Sequence, residues 1–431
     1  MLKKNSFGWP IVMVISFLPV LLWFLRPVPR FSNFMEMMAN FGQLSGLVGM
    51  AMFSVAMFLS ARSHFLEKYF NGLNKVYIKH NLLGQIGFIL MLIHPLFLLP
   101  KYSGGLPSKS VNFLWLGSFW PKNWGVVSLI ILIILIVFTL YWRPKYNVWK
   151  WTHKFMGLAF LFAVAHTWLI PSDTSAYLPL RIYMLFLSGV ALAAFVYYSI
   201  LGKFFIKKYK YVVSGKKLFN GFATEITMEP VGERIKFIPG QYIFVSIFDK
   251  AVGSESHPFS IISGPEEKNI SFTAKVLGDY TANLKNISVG SKAKIEGPFG
   301  VFSCKKAQNK KQIWIAGGIG VTPFLSMIKD LNPLEPYEID FYYCLKDESE
   351  AIYLDLFREK SIELPKNFRV FAFYSKIQGR ISVEAIEKMS GGLENKDIFV
   401  CASPFMMESL RKGFSARGVK RKLIHSEEFG F

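Results

Sequence analysis

His80-Asn-Leu-Leu-Gly-Gln-Ile-Gly-Phe-Ile-Leu-Met-Leu-Ile-His94 and His153-Lys-Phe-Met-Gly-Leu-Ala-Phe-Leu-Phe-Ala-Val-Ala-His166 are largely apolar stretches, each closed at both ends by histidine. The chain has only seven histidines, and four of them stand here. An ionisable group inside a hydrophobic span is costly, so each of the four marks a functional site by default. A lone histidine could simply donate to a neighbouring backbone carbonyl. Four of them, paired on two segments at similar spacing, point to ligand chemistry instead.

The two stretches sit in a half of the chain built for lipid. A bilayer core takes about 20 largely apolar residues per helix. Six such spans are predicted, at 9–25, 41–61, 78–99, 124–142, 153–170 and 181–205. Arg26-Pro-Val-Pro-Arg30 reads as a turn after a retained first span rather than as a cleavage site. The connecting loops are unequal in charge. One side carries fourteen cations: Lys3, Lys4, Arg62, Lys68, Lys75, Lys79, Arg143, Lys145, Lys150, Lys154, Lys203, Lys207, Lys208 and Lys210. The other carries six: Arg26, Arg30, Lys101, Lys109, Lys122 and Arg181. The positive-inside rule then puts both chain ends in the cytosol. The net charge of +21 is thereby explained by membrane anchoring, and nucleic-acid binding is not expected.

Along a helix, the 14 and 13 residues separating the paired histidines cover roughly 21 and 20 Å, within a hydrocarbon core of about 30 Å. Spans three and five run in the same direction, so His80 is expected to face His153 near the inner surface and His94 to face His166 near the outer one. Each pair could hold a haem iron through neutral imidazole nitrogen. Zinc is the competing metal, but two ligands without cysteine or carboxylate partners make a poor zinc site. Fourteen residues nearly return to one helical face. Thirteen fall about 140° short on a straight helix, so span five must twist, tilt or approach the haems from different sides. Phe160 or Phe162, between His153 and His166, could bridge the haems or simply pack.

The second half reads as water-soluble. Its three cysteines, Cys304, Cys344 and Cys401, show no CxxC pairing and suit a reducing compartment. Residues 211–303 alternate short strands with turns, as in a small antiparallel barrel. They include Pro239-Gly-Gln-Tyr-Ile-Phe-Val245, His257-Pro-Phe-Ser-Ile-Ile-Ser-Gly264, Lys275-Val-Leu-Gly-Asp-Tyr-Thr281 and Gly297-Pro-Phe-Gly300. Pro258 keeps His257 extended. From about 310 the rhythm changes to strand, loop and helix, which implies a parallel sheet. The strand Gln312–Ala316 leads into Gly317-Gly-Ile-Gly-Val-Thr-Pro323 and a helix whose N-terminus favours a pyrophosphate.

Taken together, the histidine pairs and these motifs resemble the ferric reductase and NADPH oxidase superfamily over essentially the whole chain. The resemblance implies a six-helix transmembrane bundle (1–205), an antiparallel β-barrel FAD domain (206–307) and an α/β parallel-sheet NADPH domain (308–431). It implies two b-type haems on His80 with His153 and on His94 with His166. FAD would lie along His257, Pro258, Phe259 and Ser260, with Lys275 and Thr281 at its pyrophosphate. The nucleotide would use Gly317, Gly318, Gly320, Thr322 and Pro323. Cys401, in Cys401-Ala-Ser-Pro404, stands where the family has a Cys-Gly element beside the nicotinamide, with Ala402 replacing the usual glycine. Phe429, or alternatively Phe431, would stack on the flavin from the Glu427-Glu-Phe-Gly-Phe431 ending.

Ser375, Lys376 and Arg380 offer a hydroxyl and two cations for a 2′-phosphate, and no acid lies in that stretch, so NADPH is the expected donor. Electrons would pass from NADPH through FAD and the haems to a small-molecule acceptor. Oxygen, giving superoxide, is the first candidate, and a ferric chelate the second. The third possibility is an electron-conduit subunit feeding a partner protein. No EF-hand or regulatory extension is visible, so no obligate regulatory subunit is expected.

Overall fold

The computed structural model describes residues 8–104, 106–142 and 146–427. It divides into two compact units, Met1–Ile206 and Lys207–Phe431.

The first unit is helical. Its helices include α1 (Gly8–Phe24), α2 (Phe34–Leu59), α3 (Leu73–Ser103), α4 (Trp120–Val137), α5 (Tyr146–His153), α6 (Met156–Leu169) and α7 (Leu178–Phe195). Among the described residues, four helices have the length and apolarity to cross a bilayer: α2, α3, and α4 and α7 with the π-turns that extend them to Trp142 and Ile200. The first and fifth expected spans fall on shorter helices. α1 has 17 residues with Pro19 inside it, and α6 has 14. Large apolar side chains such as Val14, Ile134 and Phe186 are exposed around the unit, a surface that water does not favour and hydrocarbon does.

α2 is the central helix, and small residues let its neighbour approach. A Cβ on Gly49 would lie 3.2 Å from the Gly87 carbonyl of α3, and one on Gly42 would lie 3.1 Å from the His94 carbonyl. Close helix approach through small residues is the usual packing solution where no hydrophobic drive separates protein from lipid. Polar groups are satisfied across helices. Ser128 donates to the Ala159 carbonyl at 2.7 Å and Tyr183 to that of Ile15 at 2.6 Å. Asp173 is held by Arg26 and by Arg30, the latter at 3.0 Å.

The second unit holds two sheets. The antiparallel sheet comprises β1 (Tyr209–Phe219), β2 (Ala223–Pro230), β3 (Tyr242–Phe248), β4 (Ser256–Ser260), β5 (Ile270–Lys275) and β6 (Lys292–Phe299), in the order β4-β3-β6-β1-β2-β5. Its edge strands β4 and β5 share no ladder, although the Ile262 N–H just past β4 donates to the Ser271 carbonyl at 2.9 Å. Inward residues alternate along β1 to β3 and β5, and Val213, Ile226, Val245 and Phe272 are fully buried.

The parallel sheet comprises β7 (Lys311–Gly317), β8 (Glu338–Leu345), β9 (Phe368–Tyr374), β10 (Asp397–Cys401) and β11 (Ile424–Glu427), in the order β11-β10-β7-β8-β9. Near-continuous burial of β7, β8 and β10 is what a sheet covered on both faces requires.

Tyr353 joins the two sheets. It follows β8 with a left-handed φ of 67°. Its hydroxyl donates to Glu225 on β2 at 2.6 Å and accepts from Thr273 on β5 at 2.6 Å, while Phe219 meets its ring edge at 5.1 Å. Tyr353→Phe leaves Glu225 and Thr273 without this partner and should cost about 1–2 kcal/mol. Thermal unfolding of the purified protein checks it, and an unchanged midpoint would refute it.

A second polar anchor lies at the start of β10, where Asp397 is fully buried. Burial alone would push its carboxyl up, but hydrogen bonds from His425 at 2.6 Å and the Asn309 N–H at 2.8 Å outweigh burial and hold it below the usual carboxylate value. A depressed folded-state pKa gives stability that is present above the unfolded value and lost as pH falls through the folded one. His425→Ala should therefore move acid unfolding to higher pH, measured by tryptophan fluorescence against the parent chain.

Candidate functional site

The histidines expected to pair do pair. The His80 and His153 rings are 6.2 Å apart centre to centre, and the His94 and His166 rings 6.4 Å. A metal–imidazole bond of about 2.0 Å and about 1.1 Å from nitrogen to ring centre, counted on both sides, give roughly 6.2 Å. Each pair therefore has the separation of two imidazoles on one iron.

Span five meets its thirteen-residue spacing by breaking. α5 ends on His153, α6 begins at Met156, and between them the Phe155 and Gly157 N–H groups bond back to Thr152 and Lys154 as tightened three-residue turns. The break resets the helical phase, so His166 faces α3 as His153 does.

Three of the four rings are fixed by backbone. Nδ1 of His80 donates to the Ala56 carbonyl at 2.7 Å, that of His94 to Gly42 at 2.7 Å, and that of His166 to Pro121 at 2.8 Å. A carbonyl can only accept, so the proton is on Nδ1 and the Nε2 lone pair is left for a metal. The Nδ1 of His153 is buried without a partner among the described residues, and Trp149 stacks on the ring at 5.1 Å.

Glycines give the outer pair its room. A Cβ on Gly46 would lie 2.6 Å from His94 Nδ1, and one on Gly125 would lie 2.9 Å from His166 Nδ1. A cavity of about 550 Å³ opens between His94 and His166, walled by Met91, Leu98, Val126 and Leu129 among others. That is room for a flat macrocycle in an apolar setting. Of the two candidate bridging aromatics, Phe160 is fully buried edge-on to Phe53, and Phe162 stacks on Trp124 at 5.3 Å.

In the second unit, β4 is a half-open edge strand. His257 and Phe259 share one of its faces. Their rings meet Tyr280, at 3.9 and 6.4 Å, and Phe259 also stacks on Phe272. Pro258 and Ser260 alternate to the other face, and Ser260 is buried. The Tyr280 hydroxyl is enclosed without a partner among the described residues, a polar orphan beside an aromatic surface that suits a ring ligand bearing polar atoms. Burial pushes that hydroxyl well above its ordinary value.

Lys275 and Thr281, expected at a pyrophosphate, have protein partners. Lys275 lies 3.5 Å from Glu350 and over the Phe222 ring, while the Thr281 hydroxyl accepts from the Leu277 and Gly278 N–H groups at the start of α8 (Asp279–Asn283).

The glycine loop is explained by close approach. A Cβ on Gly320 would fall 2.0 Å from the Cys401 carbonyl, and one on Gly317 would fall 2.7 Å from the Ala402 Cβ. Gly318 takes a left-handed φ of 54°. Thr322 donates to the Ile319 carbonyl at 3.0 Å, and Pro323 sits in the first turn of α9 (Thr322–Lys329). Cys401 ends β10 against this loop and is fully buried, which pushes its thiol well above the ordinary value. Ser375, Lys376 and Arg380 cluster past β9. Lys376 bonds Asp347 at 2.6 Å, and Arg380 lies over the Phe405 ring at 4.9 Å. Phe429 and Phe431 fall outside the described residues.

Asp347, Tyr280, Gly46 and Gly125 do not stand out in the sequence as site residues. A Gly42-x-x-x-Gly46 pattern is there to be seen, and so is an acid just past the second strand of a nucleotide-binding βαβ unit.

Known proteins match along this layout. Residues 45–164 match the family of the ferric reductase like transmembrane component, 217–323 an FAD-binding domain, and 314–412 an oxidoreductase NAD-binding domain. The chain is 29% identical over 195 residues to a superoxide-generating NADPH oxidase heavy chain of Dictyostelium discoideum, covering 38% of this chain and 37% of that one. It is 26% identical over 268 residues to NADPH oxidase 1 of Rattus norvegicus, covering 51% and 47%. It is 26% identical over 244 residues to a flavohemoprotein of Rhizobium meliloti, covering 51% and 60%. The matched regions thus span less than two thirds of these relatives. The fold is similar to that of a flavohemoglobin from Malassezia yamatoensis, with a TM-score of 0.52 and 17% identity over 91% of this chain and 98% of that one.

Gly46→Ala should displace the His94 ring and lower binding at the outer pair, whereas Gly84→Ala, where a Cβ meets nothing within 4 Å, should not. Haem content per purified chain checks this, and equal content in both variants would count against the cradle.

Proposed function

The chain belongs to the superfamily of ferric reductases and NADPH oxidases, and on that premise we propose that it is a transmembrane flavohaem oxidoreductase. The observation that carries this reading is the pair of imidazole couples at 6.2 and 6.4 Å, stacked along the same two apolar segments. Bound to the chain, FAD would accept hydride from NADPH and release single electrons, and two b-type haems would relay them to an outer acceptor, with oxygen first among candidates.

The chain's own residues do the holding. His80 with His153 and His94 with His166 each offer a neutral Nε2, and the Ala56, Gly42 and Pro121 carbonyls keep three of those rings from turning. His257 and Phe259 offer an aromatic edge to the flavin, and Tyr280 a hydroxyl. The glycine loop brings backbone N–H groups to a nucleotide pyrophosphate at the start of α9. Cys401, behind that loop, sets its depth rather than acting as a thiolate. Ser375, Lys376 and Arg380 form the end that meets the 2′-phosphate.

The apolar segments are proposed to form a six-span bundle (1–205) with both chain ends cytosolic, followed by a flavin barrel (206–307) and a nucleotide domain (308–431). Loop cations support that orientation. The proposed enzyme turns over without an obligate partner protein.

A reduced-minus-oxidised visible spectrum with haem and FAD quantified per chain tests the centre of this reading. Two haems per chain are expected, with His94→Ala retaining one. A chain with no haem after reconstitution would sink the proposal. Superoxide dismutase-sensitive cytochrome c reduction by the purified chain with NADPH tests the acceptor. Its absence, together with reduction of a ferric chelate, would replace oxygen by iron. No NADPH oxidation at all by the purified chain would point to an electron conduit for a partner protein instead.

A further inference from the structure

Two loops of opposite charge meet at the carboxyl ends of β8 and β9. Lys346-Asp-Glu-Ser-Glu350 leaves β8, and Ser375-Lys-Ile-Gln-Gly-Arg380 leaves β9. The Lys376 N–H donates to the Lys346 carbonyl at 3.1 Å, so the loops are joined through backbone. The Lys376 ammonium lies 2.6 Å from Asp347 Oδ2. The other carboxylate oxygen of Asp347 accepts the Ser349 N–H at 3.1 Å, capping the short turn Glu348–Glu350. Asp347 is therefore held from two sides and cannot swing clear without undoing its own turn. Hydrogen bonds from Lys376 and Ser349 hold its carboxyl down at about 2, so it is an anion throughout the working range of an enzyme.

The position is a telling one. β7, α9 and β8 form the βαβ unit that opens with the glycine loop, and Asp347 stands two residues past its second strand. An acid near that place in such units bonds the ribose hydroxyls of an unphosphorylated nucleotide and repels a 2′-phosphate. Lys376 and Arg380 pull the other way. Lys376 is already committed to Asp347, and Glu348 adds another carboxylate to the same loop, whereas Arg380 leans on Phe405.

We infer that Asp347 is the coenzyme-selecting residue. It offers a ribose partner and occupies Lys376, so the chain accepts NADH alongside NADPH instead of requiring the 2′-phosphate. This inference rests on the nucleotide site proposed above and deepens it.

The test is steady-state kinetics of the purified full chain, FAD-loaded, with NADPH and NADH as alternative donors. In the parent chain the two kcat/KM values should lie within roughly tenfold, the scale of one or two exposed charge contacts. Asp347→Asn should raise the NADPH-to-NADH ratio by roughly fivefold or more, through a lower KM for NADPH, because Lys376 is released and a repelling charge is gone. Asp347→Ser should act in the same direction, and Lys376→Gln should lower the ratio. If Asp347→Asn and Asp347→Ser leave the ratio unchanged while Lys376→Gln and Arg380→Ala depress it, the phosphate site stands and the selecting role of Asp347 is refuted. If none of the four variants moves the ratio, the assignment of this end of the nucleotide site fails, and the inference fails with it. A parent chain that prefers NADPH by more than about a hundredfold would also overturn it.

Discussion

An imidazole N–H held by the backbone carbonyl of another helix is the contact on which the membrane unit turns. In hydrocarbon a polar group must find its partner inside the protein. Helix carbonyls already serve their own ladder, so they are available only where a neighbouring side chain comes very close. His80 and His94 reach the Ala56 and Gly42 carbonyls of α2 at 2.7 Å each. That approach dictates much else. It demands glycine at 46, where any Cβ would collide with the His94 ring, and glycine at 49 and 87, where α2 and α3 touch backbone to backbone. It also fixes the tautomer, so the nitrogen aimed across the gap is the one without a proton. On the opposite helix the same logic places Gly125 beneath His166 and uses the Pro121 carbonyl in the first turn of α4.

In the second unit the corresponding constraint is the closeness of β7 and β10 behind the glycine loop. With the Gly320 backbone against the Cys401 carbonyl, the loop cannot carry side chains on that flank, and its N–H groups are left for a ligand. Ala402, in place of a glycine, is tolerated because Gly317 supplies the missing space. Tyr353 then ties this sheet to the flavin sheet through Glu225 and Thr273, so the two binding surfaces are set at one distance. A tyrosine in left-handed backbone is strained, and the strain is offset by two short hydrogen bonds and the Phe219 contact.

What is legible in the sequence follows from how chemistry is written there. Histidines in apolar runs are scarce and expensive, so the pairs stand out, and both come together in the structure. Glycine-rich loops between strand and helix have few alternative readings. That span five must deviate is legible in its thirteen-residue spacing, but the place of the break at Lys154 and Phe155 is not, because neither residue is a helix breaker. Broken this way, the fifth segment is too short to be recognised as a span by length, although its composition suits one. Lys275 looks like a phosphate ligand because its partner, Glu350, is distant in sequence. Asp347 is hidden for the same reason. The stretch after β9 contains no acid, and the acid arrives from the end of the adjacent strand.

The charges near the outer histidine pair are taken up by the protein itself. Lys122 lines the cavity, but its ammonium donates to the Asn112 carbonyl at 2.8 Å and the Trp115 carbonyl at 2.7 Å. Asp173 also lines it and is bound by two arginines, one of which lies flat on Trp23 at 3.3 Å. These charges are thus engaged with the protein, and the cavity wall between them is mostly aliphatic and aromatic. A wall of this kind suits a flat apolar macrocycle better than a solvated ion, which would lose its hydration on entry without compensation.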